Sequence, residues 1–180
     1  MLPVLVVTGP PGVGKSAVTE EIYDQLAARD IPHAAVDLDA LCLSYPFPAG
    51  DSFNDEVALT NLRDVWRNYE SNGAQRLVLN RVVETRDYLD RIREALPDPE
   101  FVVCRLAASR DTLHRRLRQR ETGSSLDSLL KRAEYLSTWF DDSDVADHVF
   151  PTDGVKLPEL ACAILTRIGW IDASGALTQG

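Results

Sequence analysis

Short continuous runs of apolar residues alternate along this chain with longer stretches in which apolar positions recur every three or four residues. Residues 3–7, PVLVV, are uninterrupted and rich in β-branched side chains, the pattern of a parallel strand covered on both faces. From Ser16 to about Arg29, Val18, Ile22 and Leu26 repeat at i, i+4 and i+8, which gives a helix one apolar stripe to lay on a sheet. Pro32 closes that connection, and residues 33–37 read as a second strand. Leu41 to Asp55 carries Pro46, Pro48 and Gly50 among polar residues, so it reads as a loop, and a functional one. Leu59, Leu62, Val65, Trp66 and Tyr69 then return to helical spacing before Gly73, and aromatics so spaced are read as core, with stacking of a ligand ring on Trp66 or Tyr69 as the alternative. RLVLN at 76–80 gives the third strand. A helix near 85–96, a strand at 101–106, helices at about 109–121 and 126–140, a strand at 147–150 and a helix at about 156–168 complete the series. Gly169 is the expected helix stop, and residues 171–180 read as a frayed tail.

Strands that alternate with helices in this way require a parallel sheet with helices on both faces. Ligands of such sheets bind at the carboxyl ends of the strands. A length of 180 residues suits one domain, placed at 1–170. A formal charge of −9 supplies no general basic face, which argues against a nucleic-acid partner. Cys42, Cys104 and Cys162 are odd in number and have no C-x-x-C spacing, so they read as buried thiols of a reducing cytoplasm rather than a disulfide framework or zinc site. The apolar start has no basic segment before it and is too short to be a signal peptide or to span a membrane.

The chemistry begins after the first strand. Gly9-Pro10-Pro11-Gly12-Val13-Gly14-Lys15-Ser16 matches G-x-x-x-x-G-K-[ST] between a strand and a helix. In that setting the glycines let successive N–H groups turn inward around an anion, and the helix start adds its dipole. Lys15 is then the candidate to reach the β- and γ-phosphates of ATP, and the Ser16 hydroxyl to sit on Mg²⁺. Asp37 and Asp39 close the second strand two residues apart, which on an extended backbone puts both carboxylates on one side. Asp37 is the candidate to hold a water on Mg²⁺, and Asp39 the candidate base for an attacking hydroxyl, with capping of the next helix as the alternative use of either.

Residues 109–120, SRDTLHRRLRQR, form a helix whose buried face is fixed by Leu113 and Leu117. Arg116 and Arg120 lie along the edge of that face, while Arg115 and Arg118 point toward solvent. Thr122-Gly123-Ser124-Ser125 follows as a short mobile loop, with Ser124 and Asp127 able to cap the next helix. Two arginines beside a loop suit a lid, placed near 115–128, that neutralises a transferring phosphoryl group and excludes water.

With the phosphate loop, Asp37-Leu38-Asp39 and the Arg116-Leu117 and Arg120 pattern in place, the chain resembles the small P-loop kinases that include shikimate kinase, gluconate kinase, chloramphenicol phosphotransferase and the nucleoside monophosphate kinases. The resemblance runs from Val4 to about Ile168. It implies the three-layer α/β P-loop fold, a five-stranded parallel sheet of order 2-3-1-4-5, a short lid, and an adenine site bordered by Thr152, Asp153 and Gly154. It also implies an ATP-dependent kinase with Mg²⁺ and a small-molecule hydroxyl acceptor. The stretch after the third strand, Leu79-Asn80-Arg81-Val82-Val83-Glu84, carries neither the glycine run of the shikimate kinase group nor the Asp-Gly-x-Pro-Arg of the nucleoside monophosphate kinases. Arg81 and Glu84 therefore stand either against the acceptor or in salt bridges to neighbouring helices. A nucleoside or nucleotide kinase, and a non-enzymatic ATP-binding switch whose lid orders for a partner, remain open alternatives.

Overall fold

A computed structural model describes residues 1–51 and 53–172; the expected tail at 171–180 falls, from residue 173 on, outside the described residues. Among them, strands β1 (Leu2–Thr8), β2 (Ala34–Asp37), β3 (Leu77–Asn80), β4 (Pro99–Ala107) and β5 (His148–Pro151) alternate with helices α1 (Lys15–Ala27), α2 (Asp55–Ser71), α3 (Arg86–Glu94), α4 (Arg110–Arg120), α5 (Gly123–Asp142) and α6 (Leu157–Arg167). A 3-10 turn at Ala40–Cys42 follows β2. The strands form a five-stranded sheet of order β2-β3-β1-β4-β5, and every neighbouring pair is parallel. One register row runs across the sheet near its carboxyl end, from Asp37 through Asn80, Val7 and Cys104 to His148.

The period of two along each strand divides the core into two layers. Val4, Val6, Leu77, Leu79 and Val103 face the layer of α2 and α3, where Leu59, Leu62, Trp66, Leu89 and Ile92 are buried. Leu5, Val7, Val78, Cys104 and Leu106 face the opposite layer, filled by Val18, Ile22 and Leu26 of α1, Leu113 and Leu117 of α4, and Leu160 and Ile164 of α6. Each such leucine or isoleucine contributes about 1.5–3 kcal/mol by leaving water. The same alternation aims the polar residues at the strand ends. Asp37 and Asn80 fall in phase with Ala35 and Val78 and turn toward the α1 layer. Thr8 and Arg81 fall in phase with Val6 and Leu79 and turn toward α2 and α3, where the Thr8 hydroxyl accepts the Val83 N–H at 2.9 Å.

Two local expectations change, at the α4–α5 connection and at Tyr69, and one cap is a new finding. The connection between α4 and α5 is only Glu121 and Thr122, because α5 already begins at Gly123. Ser124 is thus inside the first turn rather than capping it, and Ser125 instead donates its hydroxyl to the Thr122 carbonyl at 2.9 Å. At the start of α2, Asp51 is the effective cap: its carboxylate accepts the N–H groups of Asp55 at 2.9 Å and Glu56 at 3.0 Å. Trp66 is core, but Tyr69 is 40% exposed, since it lies off the buried stripe of α2. No helix among the described residues is long and apolar enough to cross a membrane.

Candidate active site

Gly9 to Ser16 wraps the carboxyl end of β1 and runs into α1. Two of its glycines serve different ends. Gly12, at φ +82°, lies so close to α4 that a β-carbon would stand 2.9 Å from Leu117 Cγ and 3.1 Å from the Leu113 carbonyl oxygen. Gly14, at φ +106°, has nothing within 4 Å of that position. Gly12 therefore lets the loop pack on α4, while Gly14 keeps open the space at the amino end of α1. That open, N–H-lined space at a helix start suits a phosphate group.

Lys15 folds back over the loop and donates to the carbonyl oxygens of Gly9 at 3.0 Å and Pro10 at 3.4 Å. Burial lowers its pKa from 10.5 to about 8, against the opposing pull of Asp39 and Asp37 and with a further push from Arg120. The Ser16 hydroxyl donates to Asp37 Oδ2 at 3.1 Å. With its amide oriented to satisfy its neighbours, Asn80 also donates to Asp37, at 3.1 Å to Oδ1 and 3.3 Å to Oδ2. Asp37 Oδ1 further accepts the Asp39 N–H at 3.0 Å. A hydroxyl and a carboxylate side by side at the phosphate loop make a hard-oxygen donor set that fits Mg²⁺ and its waters.

Asp39 does not continue the strand. Its φ of −64° and ψ of −31° are helical, and it opens the 3-10 turn. The argument that an extended backbone places both carboxylates on one side is thereby corrected: Asp37 faces Ser16, and Asp39 turns away to meet Arg81. Arg81, with only 7% of its side chain exposed, donates to Asp39 Oδ1 at 2.8 Å and to Asp55 Oδ1 at 2.5 Å. Asp39 and Arg81 both line a cavity of about 580 Å³, whose wall is completed by α2, α3 and α5. Glu84 pairs with Arg132 of α5, and its carbonyl accepts the Trp139 indole N–H at 3.0 Å. Asn61 holds the 3-10 turn itself by donating to the Leu41 carbonyl at 2.8 Å.

The two arginines expected in a lid separate in their contacts. Arg116 donates to the Val13 carbonyl at 2.9 Å and to the hydroxyl and carbonyl of Thr152 at 3.0 and 3.3 Å, so it ties the phosphate loop to the turn after β5. Its guanidinium is spent on protein acceptors rather than left at the edge of the helix. Arg120 is exposed, pairs with Glu121 at 2.9 Å, and is the arginine whose charge reaches Lys15. Thr152 is buried. Asp153 accepts from the Ser109 N–H at 2.7 Å and the Ser109 hydroxyl at 3.0 Å; hydrogen bonds from Thr112 and Ser109 hold its carboxyl below the usual range. Its carboxylate thus anchors the turn to the start of α4; Thr152 is held on both backbone groups, by Arg116 and by the Ala107 carbonyl, so exposed Gly154 is the part of that turn left open.

Asp55, Tyr88, Arg91 and Arg132 are site-lining residues that sequence reasoning did not single out. Tyr88 and Arg91 stand three apart on α3, a spacing that puts them on one face. The approach of Arg132 to Glu84 across 48 residues leaves no mark in the sequence.

No protein-family model matches the sequence, and no curated protein matches it. Solved structures do match. The tunicamycin resistance protein of Deinococcus radiodurans superimposes with a TM-score of 0.63 at 18% identity, over 94% of this chain and 96% of that one. A gluconokinase from Sinorhizobium meliloti 1021 gives 0.62 at 23% identity, over 92% and 93%. The APS kinase of Mycobacterium tuberculosis in complex with AMPPNP and APS gives 0.63 at 17% identity, over 93% and 97%. The chain has the fold of the small P-loop kinases, as its motifs imply.

Proposed function

We propose that the protein is an ATP-dependent kinase that transfers the γ-phosphoryl group to a hydroxyl of a small molecule. One observation carries this reading: two carboxylates two residues apart face two different compartments. Asp37 meets Ser16 at the phosphate loop, and Asp39 opens onto a cavity large enough for a small acceptor. A nucleotide-binding switch needs the first arrangement but has no use for the second.

In this mechanism the N–H groups from Gly9 to Ser16, including those of Val13 and Gly14, cradle the phosphates, with Pro10 and Pro11 stiffening the approach. Lys15 leaves the loop carbonyls for the β- and γ-phosphate oxygens. Ser16 and Asp37 would hold Mg²⁺, which would supply neutralisation of phosphate charge there. The turn Thr152-Asp153-Gly154, kept in place by Arg116, borders the base. Asp39 Oδ1 is engaged by Arg81, which fixes the direction of the carboxylate and presents Oδ2 to the acceptor hydroxyl. The hydroxyl oxygen forms the new P–O bond as the bond from the γ-phosphorus to the β–γ bridging oxygen breaks; its proton passes to Asp39, and ADP leaves. Since phosphoryl transfer is loose and needs little deprotonation early on, orienting the hydroxyl matters as much as basicity. Arg120, at the corner between α4 and α5, adds positive charge beside the transferring group as the lid segment 115–128 closes.

The test is ADP release coupled to a spectroscopic readout, with Mg·ATP and panels of metabolites, nucleosides, nucleotides and antibiotics. Acceptor-stimulated turnover supports the kinase. Tight Mg·ATP binding without stimulation by any panel member would establish the switch instead.

A further inference from the structure

We infer that the acceptor is a neutral or cationic hydroxyl compound, of the class of polyols, amino sugars and aminocyclitols, and not a carboxylate or a phosphate. The inference rests on the kinase reading, and it follows from how the charges of the acceptor cavity are already spent. Three guanidiniums line that cavity, those of Arg81, Arg91 and Arg132, and four carboxylates join them, those of Asp39, Asp55, Glu84 and Asp87. Four against three leaves one net negative charge before any phosphate of the nucleotide is added.

Each guanidinium is also bound to the protein itself. Arg81 is buried with one terminal nitrogen on Asp39 and the other on Asp55, at 2.8 and 2.5 Å. Arg91 pairs with Glu56 at 2.7 Å and stands 4.0 Å from Asp55. Arg132 pairs with Glu84 and lies over the rings of Phe53 and Tyr135 at 5.9 and 5.6 Å. Arg81 could take an anionic acceptor only by giving up Asp39 or Asp55, whereas Arg91 and Arg132 keep unused N–H donors but already carry Glu56 and Glu84 beside them. An added anion would therefore share its guanidinium with a resident carboxylate, in a partly enclosed site whose balance is already negative, and that adds repulsion. A hydroxyl or ammonium brings no such repulsion, because it donates to carboxylate oxygens that the arginines leave free.

Two further features fit that class. Asp87 is exposed on the first turn of α3 and has no ion-pair partner among the described residues, which leaves its carboxylate for an incoming cation. Tyr88, whose hydroxyl is buried close to Asp55, adds no charge to the cavity. Its ring, with Phe53 and Leu129, supplies apolar wall for the carbon skeleton.

The experiment uses matched acceptors in which charge is the only variable: an alditol with its aldonate and its 1-amino-1-deoxy form, a cyclitol with its amino and phosphate forms, and a nucleoside with its monophosphate. Turnover is read as kcat/KM with the full-length protein and saturating Mg·ATP. The expected result is that within the productive series the neutral or amino member exceeds the anionic member by at least about tenfold, and that this ratio narrows as salt is raised. Asp87→Asn should lower the efficiency ratio of the amino member to the neutral one several-fold without changing the KM for ATP. Equal or greater efficiency with the aldonate or a phosphate form overturns the inference and leaves the kinase intact. No turnover from any series, with Mg·ATP binding retained, fails the kinase reading and this inference with it.

Discussion

On the phosphate-loop side of the cleft, eight consecutive residues, Gly9 to Ser16, supply the wrapped backbone, the lysine and the hydroxyl; Asp37 and Asn80 are placed beside them by strand parity and register alone. On the cavity side, Asp39, Asp55, Arg81, Glu84, Arg91 and Arg132 converge from five separate segments, and each is positioned by a partner far away in the chain. The first region is a local device, set by one contiguous motif between a strand and a helix. The second is a network of mutually neutralised charges whose shape depends on the whole α2, α3 and α5 layer. On the proposed reading, nucleotide chemistry would sit where the chain is short-range, and acceptor selectivity where it is long-range.

The comparison breaks most sharply at Lys15. Lys15→Ala should lower kcat/KM on the order of 10⁴-fold or more, since phosphate binding and transition-state stabilisation are lost together. The same variant should leave the unliganded fold at least as stable, because a buried, partly desolvated charge has been removed. Steady-state kinetics and chemical denaturation check the two halves of this expectation. Undiminished turnover would remove the phosphate loop from the mechanism.

Asp39→Asn comes next. It should lower acceptor-dependent ADP release by roughly two to four orders of magnitude while Mg·ATP affinity stays within a few-fold, because the amide keeps the size of the carboxylate but not its charge or basicity. Asp37→Asn should instead shift the Mg²⁺ dependence of turnover, its partner being Ser16 at the phosphate loop. If calorimetry found that the Asp39 variant had lost ATP, the division between the two compartments would be wrong.

The same division explains what could be read from the sequence. The alternation of strands and helices, the parallel sheet covered on both faces and the phosphate loop follow from hydrophobic period and a contiguous motif; the order β2-β3-β1-β4-β5 is what the resemblance to the small P-loop kinases implied, and it is the order found. The pair Asp37 and Asp39 was legible as a pair, but not the turn that sends the two carboxylates apart, because Asp39 opens a 3-10 turn that no local residue announces. Arg81 and Glu84 were legible as residues with two alternative uses, and salt bridges to neighbouring elements are what they form. Arg116 looked equivalent to Arg120 on a helical wheel. Its bonds to Val13 and Thr152 depend on a loop and a strand end 103 and 36 residues away, beyond the reach of any periodicity.

That difference between the arginines yields a smaller effect. Arg120→Ala should lower kcat by about 10- to 100-fold and raise the KM for ATP less, since the charge it meets is greatest during transfer. Arg116→Ala should instead cost about 1–3 kcal/mol of stability, by leaving the Val13 and Thr152 acceptors unpaired, and weaken ATP binding through the displaced turn. Exposed Arg118→Ala serves as the control and should change neither. Denaturation midpoints beside kinetics separate the three. Equal kinetic losses at Arg116 and Arg120 with unchanged stability would mean that both arginines meet the phosphates.

The smallest effect concerns protons. Burial holds the Lys15 pKa at about 8 in the free protein against 10.5 in an ordinary setting. Between those values the unfolded chain binds more protons at this residue than the folded one, so its contribution to stability rises with pH across that window and is least favourable below about 8. Nucleotide reverses the balance, because phosphate oxygens beside the ammonium favour its charged form. Binding of Mg·ATP near pH 8 should therefore take up about half a proton, and at pH 6.5 close to none, since Lys15 is already charged there. Calorimetry in buffers of different ionisation enthalpy measures this number directly. The uptake should vanish in Lys15→Arg, whose guanidinium stays protonated throughout the range. Uptake that persisted unchanged in that variant would assign the proton to another group and leave Lys15 charged in the empty loop, held there by Asp39 and Asp37.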